Sequence, residues 1–215
     1  MTSGNASPGF HPPQQARSRA ALQRILVAAE RELATAGAEE FTMAAVADRA
    51  GLSVGAIYRR FENKEQLLGA IKDRLLNQVE QSIVAALEAV DGGLSEVVDA
   101  FTRALADSFS AGAHVLPQVA GNRRAAGSPE RSRKALANIE QIFLNATIVH
   151  AKEIRRAEPV TALVIAFRTI TASCVHRVLT SHVWPDGISW SHWSRQVADM
   201  ATAYLTSPDS SGRTA

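Results

Sequence analysis

Apolar side chains recur along the chain at intervals of three and four residues, which is the spacing of one face of a helix. The first such stripe begins after Arg17 and stops at Gly37, where a glycine can end a helix. It consists of Leu22, Ile25, Leu26, Ala29 and Leu33. No segment shows the period of two that is typical of strands. The pattern therefore predicts an all-α fold.

Two short helices are predicted next. Thr42 is placed to cap a helix that ends at Ala50, and Gly51 can supply the left-handed residue behind it. Ser53 is placed to cap the following helix, so that only three residues separate the two. This arrangement is typical of a helix-turn-helix, in which one helix braces and the next enters the major groove. An ordinary helical hairpin is the alternative interpretation.

A long amphipathic helix follows, opened by Asn63 and Gln66 and stopped at Asp91. Later helices are predicted over residues 94–111, 129–154, 159–181 and 189–205, with a mobile surface loop over residues 121–128. The predicted organisation is a flexible arm (residues 1–16), a three-helix domain with the helix-turn-helix (17–64), a larger helical regulatory and dimerisation domain (65–206) and a flexible tail (207–215).

The third helix carries side chains suited to a duplex groove. Its start places Ser53 and backbone N–H groups where they can approach a phosphate. Gly55 and Ala56 are small enough to let the helix lie deep in the groove. These features predict that the helix approaches DNA closely.

Charge and hydrogen bonding strengthen this prediction locally. The chain has a net charge of +2 and a pI near 9.0, which permits an anionic partner without demanding one. The stretch from residue 52 to residue 61, however, contains Arg59 and Arg60 and no carboxylate. Either arginine could bind guanine or neutralise a phosphate, and Tyr58 could donate its hydroxyl to a phosphate oxygen. Without the preceding turn, the triplet Tyr58-Arg59-Arg60 would be more typical of a helix face exposed to solvent.

The segment FTMAAVADRAGLSVGAIYRRFENKEQLL resembles the N-terminal DNA-binding signature of the TetR family of repressors. The resemblance covers roughly residues 22–68. It implies an all-helical dimer with a C-terminal ligand-sensing domain, repression, and a bacterial setting. It also implies that DNA is contacted by Thr42, Ser53, Val54, Ala56, Tyr58, Arg59 and Lys64. The family often has a basic residue in place of Val54 and an aromatic residue in place of Arg60, so the base preference is not transferred.

The last two predicted helices carry apolar residues on more than one face, as expected for elements that pack on two sides. The final helix has a large aromatic stripe for a terminal element. We expect these two helices to pack against the same two helices of a second copy, which forms a four-helix dimer seam. Such a dimer has two-fold symmetry, so we expect its operator to be palindromic. The candidate seam residues are Val164, Thr171, Val175, Trp190, Trp193, Val197, Met200 and Tyr204. The alternative is that this stripe covers the chain's own core.

A cavity for a small apolar or amphipathic effector is predicted among the central helices. Its candidate lining consists of Phe101, Phe109, His114, Phe143, Phe167 and Cys174. Each of these side chains is individually more typical of ordinary core or of a structural histidine than of a ligand contact.

Other chemistry is disfavoured. Cys174 has no partner for a disulfide, and His176, His182 and His192 lack the spacing of a metal site, so no metal or cofactor is expected. The N-terminus lacks a signal-type apolar region and no run of about eighteen apolar residues is evident, which favours a cytoplasmic location without membrane insertion.

Two rival functions are left open. Residues 51–55 (GLSVG) match the G-x-S-x-G elbow of serine hydrolases, with Ser53 as nucleophile. That elbow requires a strand before the serine, whereas the pattern predicts a helix, so we expect no enzyme. The other rival is a helical adaptor that binds a protein through the stripe at Trp190.

Overall fold

The structure is a computed structural model that describes residues 14–120, 129–181 and 183–209. Within these ranges it contains helices and no strand, which confirms the predicted all-α fold. The helices are α1 (Gln14–Glu40), α2 (Met43–Ala50), α3 (Val54–Tyr58), α4 (Lys64–Glu88), α5 (Leu94–Ala111), α6 (Leu116–Ala120), α7 (Pro129–Ile148), α8 (Pro159–Thr180) and α9 (Trp190–Thr206). The sequence did not predict α6, because a helix of five residues is too short to show an apolar stripe.

The chain divides into two compact units, Met1–Leu67 (unit 1) and Leu68–Ala215 (unit 2). The boundary falls inside α4, which therefore belongs to both units along one continuous backbone. Within unit 1, Gly37 interrupts α1 with a φ of 76°, and this left-handed conformation explains why glycine occupies the predicted helix stop.

Apolar side chains from α1, α2 and α3 hold unit 1 together. Ile25 and Leu33 of α1, Val46 of α2 and Ile57 of α3 are fully buried. Each such side chain contributes about 1.5–3 kcal/mol through removal from water. Arg49 and Glu32 form an ion pair at 2.8 Å on the surface between α1 and α2. Arg49 is 40% exposed, so water screens this pair, and apolar burial dominates the packing of α2 onto α1.

The core of unit 2 is centred on three phenylalanines. The ring centroids of Phe101 and Phe143 are 4.6 Å apart, and Phe167 lies 5.9 Å from each. All three are buried, as is Cys174, and Phe109 packs against the same core. The structure thus differs from the prediction that they line an effector cavity, because these rings fill one another's space.

Two further expectations for unit 2 need correction. His114, also predicted to line the cavity, is exposed in the turn between α5 and α6. The helix predicted over residues 129–154 ends at Ile148, and a 3₁₀ turn (Ala151–Glu153) follows. That turn has a structural purpose: the Glu153 carboxylate accepts a hydrogen bond from the backbone N–H of Leu94 at 3.2 Å and so satisfies the first turn of α5.

The unit 2 part of α4 is tied to α7 by polar contacts. Arg131 donates to the Glu80 carboxylate at 3.1 Å, and the Asn138 amide donates to the same carboxylate at 3.2 Å. Arg131 also donates to Asn77. Since Glu80 is mostly buried, this cluster fixes the position of α4 against α7 more firmly than a surface ion pair would.

The predicted seam residues divide into two groups. Trp193, Val197 and Tyr204 are partly buried against the core of their own unit, as the alternative interpretation required. Val164, Thr171 and Trp190 are also half-buried. Val175 and Met200, in contrast, are 39% and 69% exposed, so they remain available to a partner.

The helix α8 corrects one expectation. By length and composition it alone among the described helices could cross a membrane, although no long apolar run was expected. Its buried side chains, including Leu163, Phe167 and Ile170, belong to the core of unit 2. Its apolar character therefore follows from packing inside a helical bundle.

The terminal and loop predictions fall mostly outside the described residues. This applies to most of the predicted arm (residues 1–16), although α1 already begins at Gln14, and to the predicted loop over residues 121–128. At the predicted tail, Asp209 differs from a frayed end. It accepts hydrogen bonds from the Ala157 N–H at 2.7 Å and from Arg156 at 3.2 Å, and these bonds lower the pKa of its carboxyl.

Candidate nucleic-acid interface

The turn between α2 and α3 is built by two caps and one glycine. The Thr42 hydroxyl accepts a hydrogen bond from the Ala45 N–H at 3.1 Å, which opens α2 as predicted. Gly51 closes it with φ 63° and ψ 41°, a left-handed conformation that a side chain would strain. Its N–H donates to the Asp48 carbonyl at 3.0 Å. These contacts fix the direction in which the chain leaves α2.

Ser53 opens α3 in the same way, accepting from the Ala56 N–H at 3.2 Å. The helix is only five residues long, and its inner face is formed by Ile57, which is fully buried. Val54 and Tyr58 are 41% and 52% exposed on the opposite side, beside the exposed Gly55 and Arg59. The helix-turn-helix thus presents one small, one apolar, one phenolic and one cationic residue to solvent.

The prediction that Ala56 contacts DNA is not supported. Its side chain is only 8% exposed, because this position of α3 faces the interior of unit 1 while Gly55 faces outward. A short helix has one outer face, and adjacent residues point about 100° apart around the axis. The small side chain of Ala56 therefore serves packing between the helices.

Two predicted cations are engaged inside unit 1. Arg60 is half-buried and its Nη2 donates to the Ser18 hydroxyl at 3.1 Å and to the Ser18 carbonyl at 3.3 Å. The Lys64 ammonium donates to the carbonyl of Ala38 and lies 5.6 Å from the ring centroid of Phe41. Both side chains therefore brace the domain, and the sequence offered no signal for contacts across such separations.

Arg59 differs from these two. It is exposed and makes no ion pair with the residues that the structure describes. The side chain of the neighbouring Tyr58 is exposed as well. Arg59 is thus the strongest candidate for an electrostatic contact on α3.

The contact between Arg60 and Ser18 also brings in residues that the sequence prediction missed. It places the start of α1 beside the end of α3, and Arg17 and Arg19 on either side of Ser18 are exposed. The signal in the sequence was the acid-free stretch QARSRAA (residues 15–21) before the first apolar stripe. These two arginines extend the basic surface beyond α3.

The structure gives no support to a hydrolase. The residue preceding the GLSVG segment is the end of α2, and no strand occurs in the described ranges. The Ser53 hydroxyl caps α3 in place of being held at a sheet edge. The described residues also contain no group of histidine, cysteine and carboxylate side chains that could hold a metal ion.

Comparisons with known proteins agree with this geometry. Residues 25–71 match the family model described as bacterial regulatory proteins, tetR family. This match covers α2, α3 and the flanking parts of α1 and α4, which are the elements that form the helix-turn-helix. No curated protein sequence matches the chain.

Solved structures share the fold over most of the chain. FadR from Bacillus subtilis, in complex with stearoyl-CoA, is 18% identical with a TM-score of 0.66, covering 86% of this chain and 99% of its own. The TetR family regulator PfmR from Thermus thermophilus is 23% identical with a TM-score of 0.63, covering 83% and 97%. A TetR-family regulator from Mesorhizobium loti is 18% identical with a TM-score of 0.65, covering 88% and 96%.

The N-terminal match and the helical fold lead to the same assignment. The matched segment contains both caps and the left-handed glycine of the turn, which are the features that the geometry requires. Residues 25–71 of the chain thus match the tetR family of bacterial regulatory proteins, and the chain shares its fold with solved TetR-family regulators.

Proposed function

We propose that this chain is a ligand-responsive transcriptional repressor that binds a palindromic operator as a homodimer and is released by a small-molecule effector. The observation that carries the proposal is the exposed face of α3, where Val54, Tyr58 and Arg59 are held outward by a helix-turn-helix. A family member with this surface has the elements needed to bind duplex DNA.

Each exposed side chain has a role on DNA. Arg59 donates to guanine O6 and N7 or to a phosphate, and the Tyr58 hydroxyl donates to a phosphate oxygen. Val54 offers an apolar contact to a thymine methyl group. Gly55 allows close approach, since a Cβ built there would meet nothing within 4 Å inside the protein. The hydroxyls of Thr42 and Ser53 accept their capping bonds and keep their protons for phosphate oxygens.

Arg60 and Lys64 act indirectly in this proposal. Each donates to a backbone or hydroxyl oxygen of unit 1, so each holds α3 and α4 against α1. Arg17 and Arg19 take over the phosphate contacts that the resemblance assigned to other positions.

Effector response is supported by the fold relationship to a regulator solved with stearoyl-CoA. In this chain the effector would bind in unit 2, and the signal would travel along α4, whose backbone runs through both units. An effector shifts such an equilibrium only by its difference in affinity for the two states, and a coupling of about 1–3 kcal/mol suffices.

The proposal places the protein in the cytoplasm as a homodimer without catalytic activity. The exposed Val175 and Met200 on α8 and α9 support a seam between two copies. The helix-turn-helix domains of the two copies (the two reading heads) would be related by a two-fold axis. They would contact two half-sites about one helical turn of DNA apart, or a multiple of that distance.

Selection of bound sequences from random duplex DNA tests this function. We expect recovered sites to contain inverted repeats and the affinity to fall steeply as salt rises, because phosphate contacts release counterions. Recovery of no enriched sequence, together with salt-independent binding, would contradict the regulator and favour an adaptor. An effector that changes affinity without altering the spacing of the heads would contradict only the transmission along α4.

A further inference from the structure

The end of α8, the start of α9 and residues 183–189 between them border a cavity of about 820 Å³. All three tryptophans of the chain, Trp184, Trp190 and Trp193, line this one cavity. Its volume lies in the range of about 300–1,000 Å³ that is typical of small-molecule sites. Trp184 is 76% exposed, which is a large apolar surface to leave in water without a partner.

The residues of the inner wall of the cavity contact one another. The Trp190 and Trp193 rings meet edge to face, with centroids 5.6 Å apart and planes at 73°. The Arg177 guanidinium lies 5.0 Å from the first centroid and 5.4 Å from the second. It also donates to the Asp186 carboxylate and to the Ile188 carbonyl, which ties the loop back to α8. A ligand would therefore meet a preformed surface on this side.

The charges at this wall are already paired. Arg177 and Asp186 neutralise each other, and the Arg177 hydrogen bond, followed by that of the Ile188 N–H, lowers the pKa of the Asp186 carboxyl. The guanidinium also occupies the space beside the two inner indoles, where a cationic ligand would otherwise bind. The cavity thus favours an uncharged ligand.

Two hydroxyls in the lining offer acceptors to a ligand. The Ser173 hydroxyl donates to the Thr169 carbonyl at 2.6 Å, and the Thr180 hydroxyl donates to the His176 carbonyl at 2.8 Å. Because their protons are used inside α8, both hydroxyls offer only lone pairs to the cavity. A complementary ligand carries an N–H or O–H donor.

The shape of the lining disfavours an acyl chain. Ile188 is the one large aliphatic side chain among the residues that border the cavity, whereas three indoles do so. Indole rings provide flat surfaces that stack on other planar rings. Trp184 borders the cavity and is 76% exposed, so its ring is accessible for stacking on a bound molecule.

We propose that this cavity is an effector site for an uncharged planar aromatic molecule with a hydrogen-bond donor, which stacks on Trp184 against the wall formed by Trp190 and Trp193. The proposal rests on the proposed function, since it names the ligand class of the regulator. A molecule bound here contacts both α8 and α9, and the proposed dimer seam lies on the same two helices. Its binding would therefore alter the distance between the two reading heads through the seam.

Acridone is a suitable probe, because it is planar, uncharged and fluorescent and carries one N–H. We expect saturable binding of one acridone per chain, measured by the anisotropy of its own fluorescence. Energy transfer from tryptophan to acridone should rise in parallel, since every tryptophan of the chain borders the cavity. Absence of saturable binding to the full-length protein would overturn the ligand class.

Variants locate the site. We expect Trp184→Ala to weaken acridone binding about tenfold and Trp184→Phe to retain most of it, because phenylalanine keeps a stacking face. Val183→Ala is the matched control, as Val183 is 72% exposed in the same loop and does not border the cavity. Equal affinities for Trp184→Ala and Val183→Ala, or displacement of acridone by stearoyl-CoA with no effect of Trp184→Ala, would overturn the site.

Parallel binding of the same samples to selected duplex DNA separates the two proposals. Retained DNA binding without acridone binding would refute the effector site alone. Acridone binding without any DNA binding would refute the regulator and leave only a binding site. Acridone that binds through Trp184 but leaves DNA affinity unchanged would overturn its role as an effector site.

Discussion

At the residue scale, the distinction that matters on unit 1 is between cations that point outward and cations that are engaged. Arg60 and Lys64 donate to oxygens of α1, whereas Arg59 is exposed without an ion pair among the described residues. To bind a phosphate, Arg60 or Lys64 would first have to give up its hydrogen bond inside the protein. The free energy of that lost bond would offset part of the free energy gained from the phosphate contact. Arg59 should therefore dominate the electrostatics of α3.

We expect Arg59→Ala to weaken operator binding by about 1–3 kcal/mol and to relax preference at one base pair, if the guanidinium reads guanine. Tyr58→Phe should cost about 0.5–1.5 kcal/mol, because only one hydrogen bond is lost. Fluorescence anisotropy on the selected operator and on scrambled duplexes measures both effects. Arg195→Ala on α9 is a control for the loss of one exposed positive charge. An equal loss of affinity on the operator and on the scrambled duplexes would show that Arg59 contacts the phosphate backbone and not a base.

The single thiol gives a second prediction at this scale. Burial raises the pKa of Cys174 from 9.0 to about 12, which lowers its thiolate fraction about a thousandfold at mildly alkaline pH. We expect the native protein to react with Ellman's reagent only as fast as it unfolds, and denatured protein to react at once. Fast labelling of the folded chain would show that α8 opens locally at Cys174.

At the scale of elements, caps explain why so much of unit 1 was predictable. Thr42, Ser53 and Gly51 act through neighbours within five residues, so their roles are visible in the sequence. The start of α8 was predictable from another local signal, because Pro159 suits the first turn of a helix. Local hydrogen bonding is thus the part of the fold that a single sequence expresses directly.

Contacts between distant residues were not predictable in this way. Glu153 accepts from the Leu94 N–H, and Arg60 donates to Ser18, across 59 and 42 residues. The phenylalanine cluster shows the same limit, because spacing marks Phe101, Phe143 and Phe167 as inward-facing without showing whether they meet or surround a space. The tryptophan cavity likewise depends on how the loop after α8 returns to that helix.

The turn itself can be tested with two glycines. A Cβ at either Gly51 or Gly55 would meet no atom within 4 Å, so sterics do not separate them, but only Gly51 has a positive φ. We expect Gly51→Ala to destabilise the protein by about 1–2 kcal/mol through backbone strain alone. Gly55→Ala, within α3, should stabilise it by about 0.5–1 kcal/mol. Urea unfolding of the full chain, followed by circular dichroism, measures both.

For DNA binding the order of the two variants should be reversed: Gly55→Ala, the more stable variant, should lose more operator affinity than Gly51→Ala. Gly55→Ala adds a methyl group to the outer face of α3, so it should weaken operator binding although it stabilises the fold. Gly51→Ala should affect DNA binding only through the fraction folded. Equal stabilities for the two variants would contradict a strained turn at Gly51.

At the scale of the whole molecule, the two units differ in what they expose. Unit 1 presents a small outer face on α3 beside Arg59, which has no ion pair among the described residues, while unit 2 leaves apolar side chains exposed on α8 and α9. Val164, Thr171 and Val175 occur on α8 at intervals of seven and four residues, the spacing of one helical face. This stripe, together with Met200 on α9, marks the surface that a second copy would cover.

A charge placed on that surface tests dimerisation and its consequence for DNA together. We expect Met200→Glu to shift the full-length protein from dimer to monomer in sedimentation equilibrium, because a carboxylate buried in an apolar seam loses its hydration without a partner. The same variant should bind a single half-site as tightly as the unmodified protein does, but lose affinity for the full palindrome, since its second DNA-binding domain is no longer tethered to the first. Val149→Glu is the matched control, as Val149 is 74% exposed beyond the end of α7 and outside the proposed seam. A Met200→Glu protein that remains dimeric and binds the palindrome normally would place the seam elsewhere, whereas a monomer with full affinity for the palindrome would show that the operator is read without a two-fold assembly.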